Sequence, residues 1–473
     1  MVLGTLLALL VPPHPAWAAP APSPPATDPA RRPAPSADPV TTCSSIETDV
    51  PTESDGTGGG EQVCVRAWRG EEAARRSAAA ATRRTPTAAP RPLAFPDEPS
   101  ACGFGSPGSF KQDPNRFTSC SEVWWELITS ERDSDGTVEI TGSLNLNNRQ
   151  WNLYDATAVT WTHGLTITVH DGAGTLATGA RAQAVSLCDE PGFCLVDQVI
   201  GLPDDMEIDL VPGHSYSYGW IEKENGGAAA NQGAVVPLSF AGARLIGFAQ
   251  DQVPPWVFTD DNLWGRCDGS LPGARAGCVN PYHTPTFIFE RALYGAAADM
   301  IAWAQQNLAG AWGSRLGGRP MHYLYSTADG NRNVMCRTFV QDDTLNAQLS
   351  TYPPRDSTGR PEIDSCDEFP FNASYESGAM QTDVNGNPKP HITDGAQCAQ
   401  VIAAKSGSTG NLALDFARVV PLERPTGFEL CVRGHIPYTL NVALGRDGYL
   451  RQIRGFRTLD MPGYHDPFWI QVI

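Results

Sequence analysis

Twelve cysteines constrain this chain more than any other feature: Cys43, Cys64, Cys102, Cys120, Cys188, Cys194, Cys267, Cys278, Cys336, Cys366, Cys398 and Cys431. The set is even, spread along the chain, and contains no CxxC pair. Structural zinc sites draw on such close pairs, so these thiols read as disulfides formed in an oxidising compartment. Closeness favours Cys188 with Cys194 and Cys267 with Cys278, and the other connectivities stay open.

The amino terminus agrees. Val2–Val11 is a short apolar run followed by Ala16-Trp17-Ala18, a small-x-small cleavage pattern, although no Lys or Arg precedes it. Residues 1–18 therefore read as a secretory signal peptide, and the protein as secreted and extracellular. No stretch of the sequence is long and apolar enough for a membrane span. Residues 19–100 are dominated by Ala, Pro, Ser, Thr, Arg and Gly, too poor in large apolar groups to offset the entropy of ordering, and are expected to be mostly disordered. The formal net charge of −18 argues against a general polyanion binder. Residues 261–473 are nearly balanced, however, with 18 Lys+Arg against 21 Asp+Glu, which permits nucleic acid as a partner without arguing for it.

From residue 101 to 252 the chain alternates apolar and polar side chains in short runs. Leu165–His170 ahead of Asp171-Gly172 is one, Val138–Thr141 another, and Leu144–Leu146 a third. This texture predicts an antiparallel β domain, sandwich-like in form. Trp124, Trp125, Trp151, Trp161 and Trp220 either fill its core, the commoner use of tryptophan, or line a face for carbohydrate or cell wall. Val253-Pro254-Pro255 marks a boundary, and residues 256–473 read as a separate α+β domain. Within it, 287–308 has helical periodicity, Asp394–Lys405 suggests a shorter helix, and Asp466–Val472 a closing strand.

Chemistry concentrates in Cys366-Asp367-Glu368-Phe369-Pro370-Phe371, with Glu376 further on. Adjacent residues of a strand point to opposite faces, so Asp367 and Glu368 would serve different roles. Phosphodiester hydrolysis needs an activated water, a cation for the developing charge and an acid for the leaving oxygen. Carboxylates can supply the base and the oxygen ligands of Mg²⁺. The same residues in a solvated loop, with one carboxylate capping a turn, are the bland alternative.

Several ordered pieces accompany this core: Arg266-Cys267-Asp268, Gly277-Cys278-Val279, Pro285-Thr286-Phe287, Arg319-Pro320-Met321-His322, Asn331–Cys336, Arg360-Pro361, His435-Ile436-Pro437, Asn441 with Gly445, and Asp466–Ile470. Together, over roughly 260–473, they resemble the NucA/NucB-type deoxyribonucleases of bacteria. The resemblance implies a fold related to the ββα-metal nucleases and cleavage of DNA, with Mg²⁺ or Mn²⁺ and little sequence preference. It implies Asp367 as general base, Glu368 as a ligand or support, Arg332 as a phosphate-holding cation, and Glu376 and Asn441 as metal ligands. His435 is the outside candidate for the acid. One departure stands out: where the family often carries Asp or Glu before the Asn, this chain has Leu440. Arg446, Arg451, Arg454 and Arg457 are either phosphate contacts or a solvated basic face. The competing function is a non-catalytic extracellular binding protein with a degenerate nuclease-like domain. No inhibitor protein can be identified from the sequence, and serine-hydrolase chemistry is disfavoured because no GxSxG elbow is present.

Overall fold

The computed structural model describes residues 98–104, 111–132, 135, 137–188, 194–201, 207–225, 263, 265–326, 328–461 and 464–473. It gives backbone alone for 40–42, 62–68, 87–88, 111–112, 132, 184–188, 234–235 and 239–245. The expected signal peptide, the Cys188–Cys194 pairing and most of 19–100 lie outside what is described. Within 19–100 the strands Val40–Thr42 (β1), Gln62–Trp68 (β2) and Thr87–Ala88 (β3) are exceptions to the expected disorder.

The strands that follow are Lys111–Asn115 (β4), Thr118–Arg132 (β5), Val138–Tyr154 (β6), Thr160–Gly174 (β7), Ala180–Cys188 (β8), Cys194–Ile200 (β9), Glu207–Leu210 (β10) and His214–Glu224 (β11). The main sheet runs β1-β2-β5-β6-β7-β11-β3, with β4 on β5 and β9 on β11. Two short runs read from sequence, Val138–Thr141 and Leu144–Leu146, belong to the single strand β6. Asp171-Gly172 is no turn: β7 continues through it to Gly174, paired with β6 beyond a bulge.

A second sheet is built of β10, β8 and Ser239–Leu245. Leu127, Leu144, Leu146, Leu165, Ile167 and Trp220 of the first sheet pack with Ala182, Ile208 and Leu210 of the second, the sandwich arrangement expected. Trp124, Trp151, Trp161 and Trp220 are buried, the commoner use of tryptophan, while Trp125 is half-buried against the same core.

The hairpin formed by Arg266–Asp268 and Gly277–Val279 is closed by the Cys267–Cys278 disulfide. Those sulfurs pack with Tyr154, Trp161 and Cys194, on the β domain rather than on the core that follows. Arg116, in the β4–β5 turn, extends the join. It donates to the carbonyls of Asn280, Pro281, His283, Phe456 and Arg457 and to Asp466 at 2.6 Å. Asp466 also receives Arg266 at 2.7 Å, while Arg457 is paired with Asp268. Every one of these charged groups is buried. The boundary inferred at Val253–Pro255 lies outside the described residues; the cores before and after it share this charged junction, and Arg457 belongs to that junction and not to a DNA-facing surface.

The C-terminal core is organised around helix α1 (Arg291–Asn307). Ala296, Ala297, Ala298, Met300, Ile301 and Ala304 are buried, and the small side chains let sheet and helices approach closely. Near its start Gly295 adopts φ 48°, and a Cβ there would stand 2.7 Å from Phe416 O and 2.8 Å from Ala413 O. Only glycine fits that turn. Against α1 lies a sheet in the order Asp364–Phe369, Val432–Pro437, Ala399–Ala404, Arg418–Pro421, so that Asp364–Phe369 is an edge strand.

The helix expected over Asp394–Lys405 is mostly strand. Asp394 and Gln397 form a capping box over a single 3₁₀ turn at Gly395–Gln397, then Ala399–Ala404 alternates buried and half-buried residues. The cap imitates a helix start, but parallel pairing with Val432–His435 overrides the helix preference of alanine. The closing strand Pro467–Val472 is present and pairs with Thr286–Phe289. The chain is thus β-rich, with few helices and several small sheets. No helix among the described residues is long and apolar enough to cross a membrane.

Candidate functional site

The edge strand Asp364–Phe369 carries the acidic motif. It pairs antiparallel with Val432–Pro437, setting Asp367 opposite Gly434, Glu368 opposite Arg433 and Cys366 opposite His435. Side chains directly opposite share a face, and faces alternate along a strand. A Cβ at Gly434 would lie 2.5 Å from Met300 Sδ, so Ser365, Asp367 and Phe369 leave the sheet toward α1. Asp364, Cys366 and Glu368 leave on the other side.

Asp367 is 6% exposed. Its Oδ1 accepts the Glu368 backbone N–H at 2.9 Å, while Oδ2 is buried and without a partner. Burial raises its pKa to about 6, against the opposing influence of the Arg332 charge and the Glu368 N–H. Burial also pushes Glu368 upward, with Arg332 pulling it back and the Asp367 charge adding to the rise.

Two further side chains reach this point from separate helices. Ala328–Met335 (α2) presents Arg332, whose Nη1 donates to both Glu368 oxygens, at 2.9 and 3.1 Å. Arg332 Nη2 donates to the carbonyl of Cys366 at 2.9 Å. Tyr438–Ala443 opens a helical run that reaches Gly455 and presents Asn441, whose Nδ2 donates to Ser365 Oγ at 3.1 Å and to that same carbonyl at 2.8 Å. Both donors thus meet on the peptide oxygen immediately before Asp367. With two acceptors fixing Nδ2, Asn441 Oδ1 is turned away from the strand and has no protein donor among the described residues.

The Cys336–Cys366 disulfide ties the end of α2 to the same strand. Cys336 Sγ, Cys366 Sγ and Glu368 occupy one small space, but both sulfurs are spent in that bond and offer no thiolate to a metal.

Glu376 and His435 stand elsewhere. Both Glu376 oxygens are occupied by His322, through its backbone N–H and Nδ1, each at 2.8 Å. The family resemblance had implied a metal ligand here; the structure does not bring Glu376 to Asp367. His435 shares the Glu368 face, its Nδ1 2.7 Å from Asp364 Oδ2 and its ring against Phe339, across the sheet from the Asp367 carboxyl. Leu440 packs in the hydrophobic core beside Gly295, so nothing at that position offers a ligand.

Sequence reasoning missed Ser365, Asp364 and the disulfide partner of Cys366. Ser365 was accessible from its period-two spacing to Asp367. Asp364, wholly buried and also accepting the Asp342 N–H, had no signal of its own.

No family model, no curated protein and no solved structure matches this chain.

Proposed function

We propose that this protein is an exported, metal-dependent endonuclease that hydrolyses DNA phosphodiester bonds with little sequence preference, with Asp367 as its general base. One observation carries the reading: Arg332 and Asn441 converge on the Cys366 carbonyl, next to the unpartnered Oδ2 of Asp367. A carboxyl whose pKa is moved toward neutrality both holds and releases a proton readily at physiological pH. On this reading Oδ2, which has no protein donor but is buried, takes the proton of an attacking water admitted together with the substrate. Arg332 keeps donors on Nε and Nη2 beyond those bound to Glu368 and Cys366, and these fit a phosphate oxygen. Glu368 holds the guanidinium in place.

The oxygens on offer suit a hard divalent cation. Asn441 Oδ1 and the neighbouring Asp367 carboxylate would hold Mg²⁺ or Mn²⁺, an ion that keeps several of its own waters and needs only one or two protein oxygens. When bound, such a cation neutralises charge developing on the phosphoryl oxygens.

The test uses the purified full chain with supercoiled plasmid. Nicking should require Mg²⁺ or Mn²⁺, stop with EDTA and be lost in Asp367→Asn with the fold retained. Cleavage by Asp367→Asn at the parental rate would overturn the assignment. A second reading has one observation in its favour: Leu440 is 4% exposed and packed in the core where the family often has a carboxylate. On that reading the protein binds extracellular glycan without catalysis. Retention on insoluble glycans, with no metal-dependent cleavage, would select it.

A further inference from the structure

A second constellation lies apart from Asp367. The strand Met321–His322 pairs with the closing strand, Met321 opposite Phe468 and His322 opposite Pro467. Met321 and Phe468 are buried in the core, so His322 points outward. Along the chain before Pro467, Asp466 is buried and His465 is not, so His465 also points outward, two residues from the partner of His322. His465 belongs to the adjoining short strand Tyr464–His465, which pairs with Asp460–Met461, so the fold keeps the two imidazoles in one neighbourhood.

Both rings are oriented the same way. His322 Nδ1 is 2.8 Å from Glu376 Oε1, and His465 Nδ1 is 3.0 Å from Asp460 Oδ1. A carboxylate on Nδ1 holds the proton there and leaves the Nε2 lone pair free. Neither Nε2 has a protein partner among the described residues, and the side chains are 18% and 28% exposed. The carboxylates are themselves anchored. Glu376 accepts the His322 N–H, while Asp460 accepts the Tyr375 hydroxyl at 3.0 Å and the Tyr325 N–H at 2.6 Å. Tyr375 joins the two halves: its N–H donates to His322 O and its ring stands edge-on to His465. The charged groups of the cluster are Glu376, Asp460 and Lys389, whose ammonium is held on the carbonyls of Tyr375 and Ser377, so the balance favours a cation.

We propose that His322 and His465 form a transition-metal site of Zn²⁺ type, with Nε2 of each as ligand and waters completing the shell. Imidazole nitrogens at ~2.0–2.1 Å select zinc-like ions over Mg²⁺, which prefers oxygen. Bound there, the ion clasps the hairpin at 460–465 to the strand at 321–322. The site is independent of the nuclease reading and shares no side chain with it.

The experiment is Zn²⁺ titration of the EDTA-dialysed full chain by calorimetry, with Co²⁺ substitution read by its visible spectrum. The parent should bind one Zn²⁺ with a Co²⁺ spectrum showing nitrogen ligation. His322→Ala and His465→Ala should each abolish tight binding. Glu376→Gln, which removes the charge behind His322, should weaken it about 10–100-fold. Asp367→Asn and His391→Ala should leave it unchanged, and an excess of Mg²⁺ should not compete. Thermal melts establish that each variant is folded. Should His322→Ala fail to fold, His465→Ala and Glu376→Gln still decide the matter. Parental Zn²⁺ affinity in either folded His→Ala variant, or loss of binding in Asp367→Asn, overturns the proposal.

Discussion

Asp367→Asn should make the protein more stable at pH 8 while removing its activity. The carboxylate lies on the α1 face of its strand with one oxygen buried and unpartnered, and its pKa rises from 3.8 to about 6. At ~1.4 kcal/mol per unit, the charged form costs the folded state about 3 kcal/mol relative to an unperturbed aspartate. The amide removes that charge but leaves a neutral buried N–H without an acceptor, at the low end of ~1–3 kcal/mol. A net gain of about 2 kcal/mol remains. Its sign with pH follows from linkage. A carboxyl whose pKa is higher folded than unfolded takes up a proton on folding, so the parent loses stability as pH rises from about 4 through about 6. Asparagine does not titrate, so the gain of about 2 kcal/mol at pH 8 should fall by about 3 kcal/mol on going to pH 4, leaving the variant about 1 kcal/mol less stable there. Urea unfolding of both at the two pH values measures it, because titrating groups other than the neighbouring Glu368 cancel in the difference. A variant less stable than the parent at pH 8, or a gain that persists unchanged at pH 4, would refute the reasoning.

Arg332→Ala leaves Glu368 as a buried carboxylate without its bidentate partner. It should cost about 1–3 kcal/mol in denaturant unfolding as well as activity, and Arg332→Lys should recover only part because one ammonium cannot replace the fork. The double variant Cys336→Ser/Cys366→Ser opens a crosslink of sequence separation 30 and should lower stability by about 3–4 kcal/mol on the loop-entropy estimate, read as an earlier urea midpoint. Arg116→Met should unfold in two transitions where the parent unfolds in one, followed by paired fluorescence and circular dichroism, because Asp466 is left to Arg266 alone and the shared junction loosens. Two buried arginines hold the Asp466 carboxyl down, to about 2. Its stabilisation is therefore full above pH ~4 and lost as pH falls toward 2, so Asp466→Asn should flatten the acid limb of the stability profile.

The sequence carried the local signals well where one face of an element meets a core. The period-two runs of the β domain, the closing strand and most of the apolar helix read over 287–308, which forms at 291–307 after a strand at 286–289, were legible because burial on one side writes itself into the order of residues. Asp394–Lys405 misled because alanine and a capping box are consistent with a helix, and only the neighbouring strand at 432–435 decides otherwise. The acidic motif was legible as chemistry but not as geometry. Nothing along the chain says that Arg332 and Asn441 meet on one carbonyl, or that Glu376 turns instead to His322. The charged junction was invisible for the same reason, because Arg116 and Asp466 are 350 residues apart.

By itself, the order of residues determined that the chain carries disulfides, that its first part is antiparallel β, and that Asp367 and Glu368 face opposite ways, since these follow from composition and from the two-residue repeat of an extended backbone. The tertiary structure alone decided which groups share a site, because contact between distant residues depends on how elements pack rather than on spacing. It also decided how an aspartate ionises, because burial against α1 removes the water that would otherwise stabilise its charge.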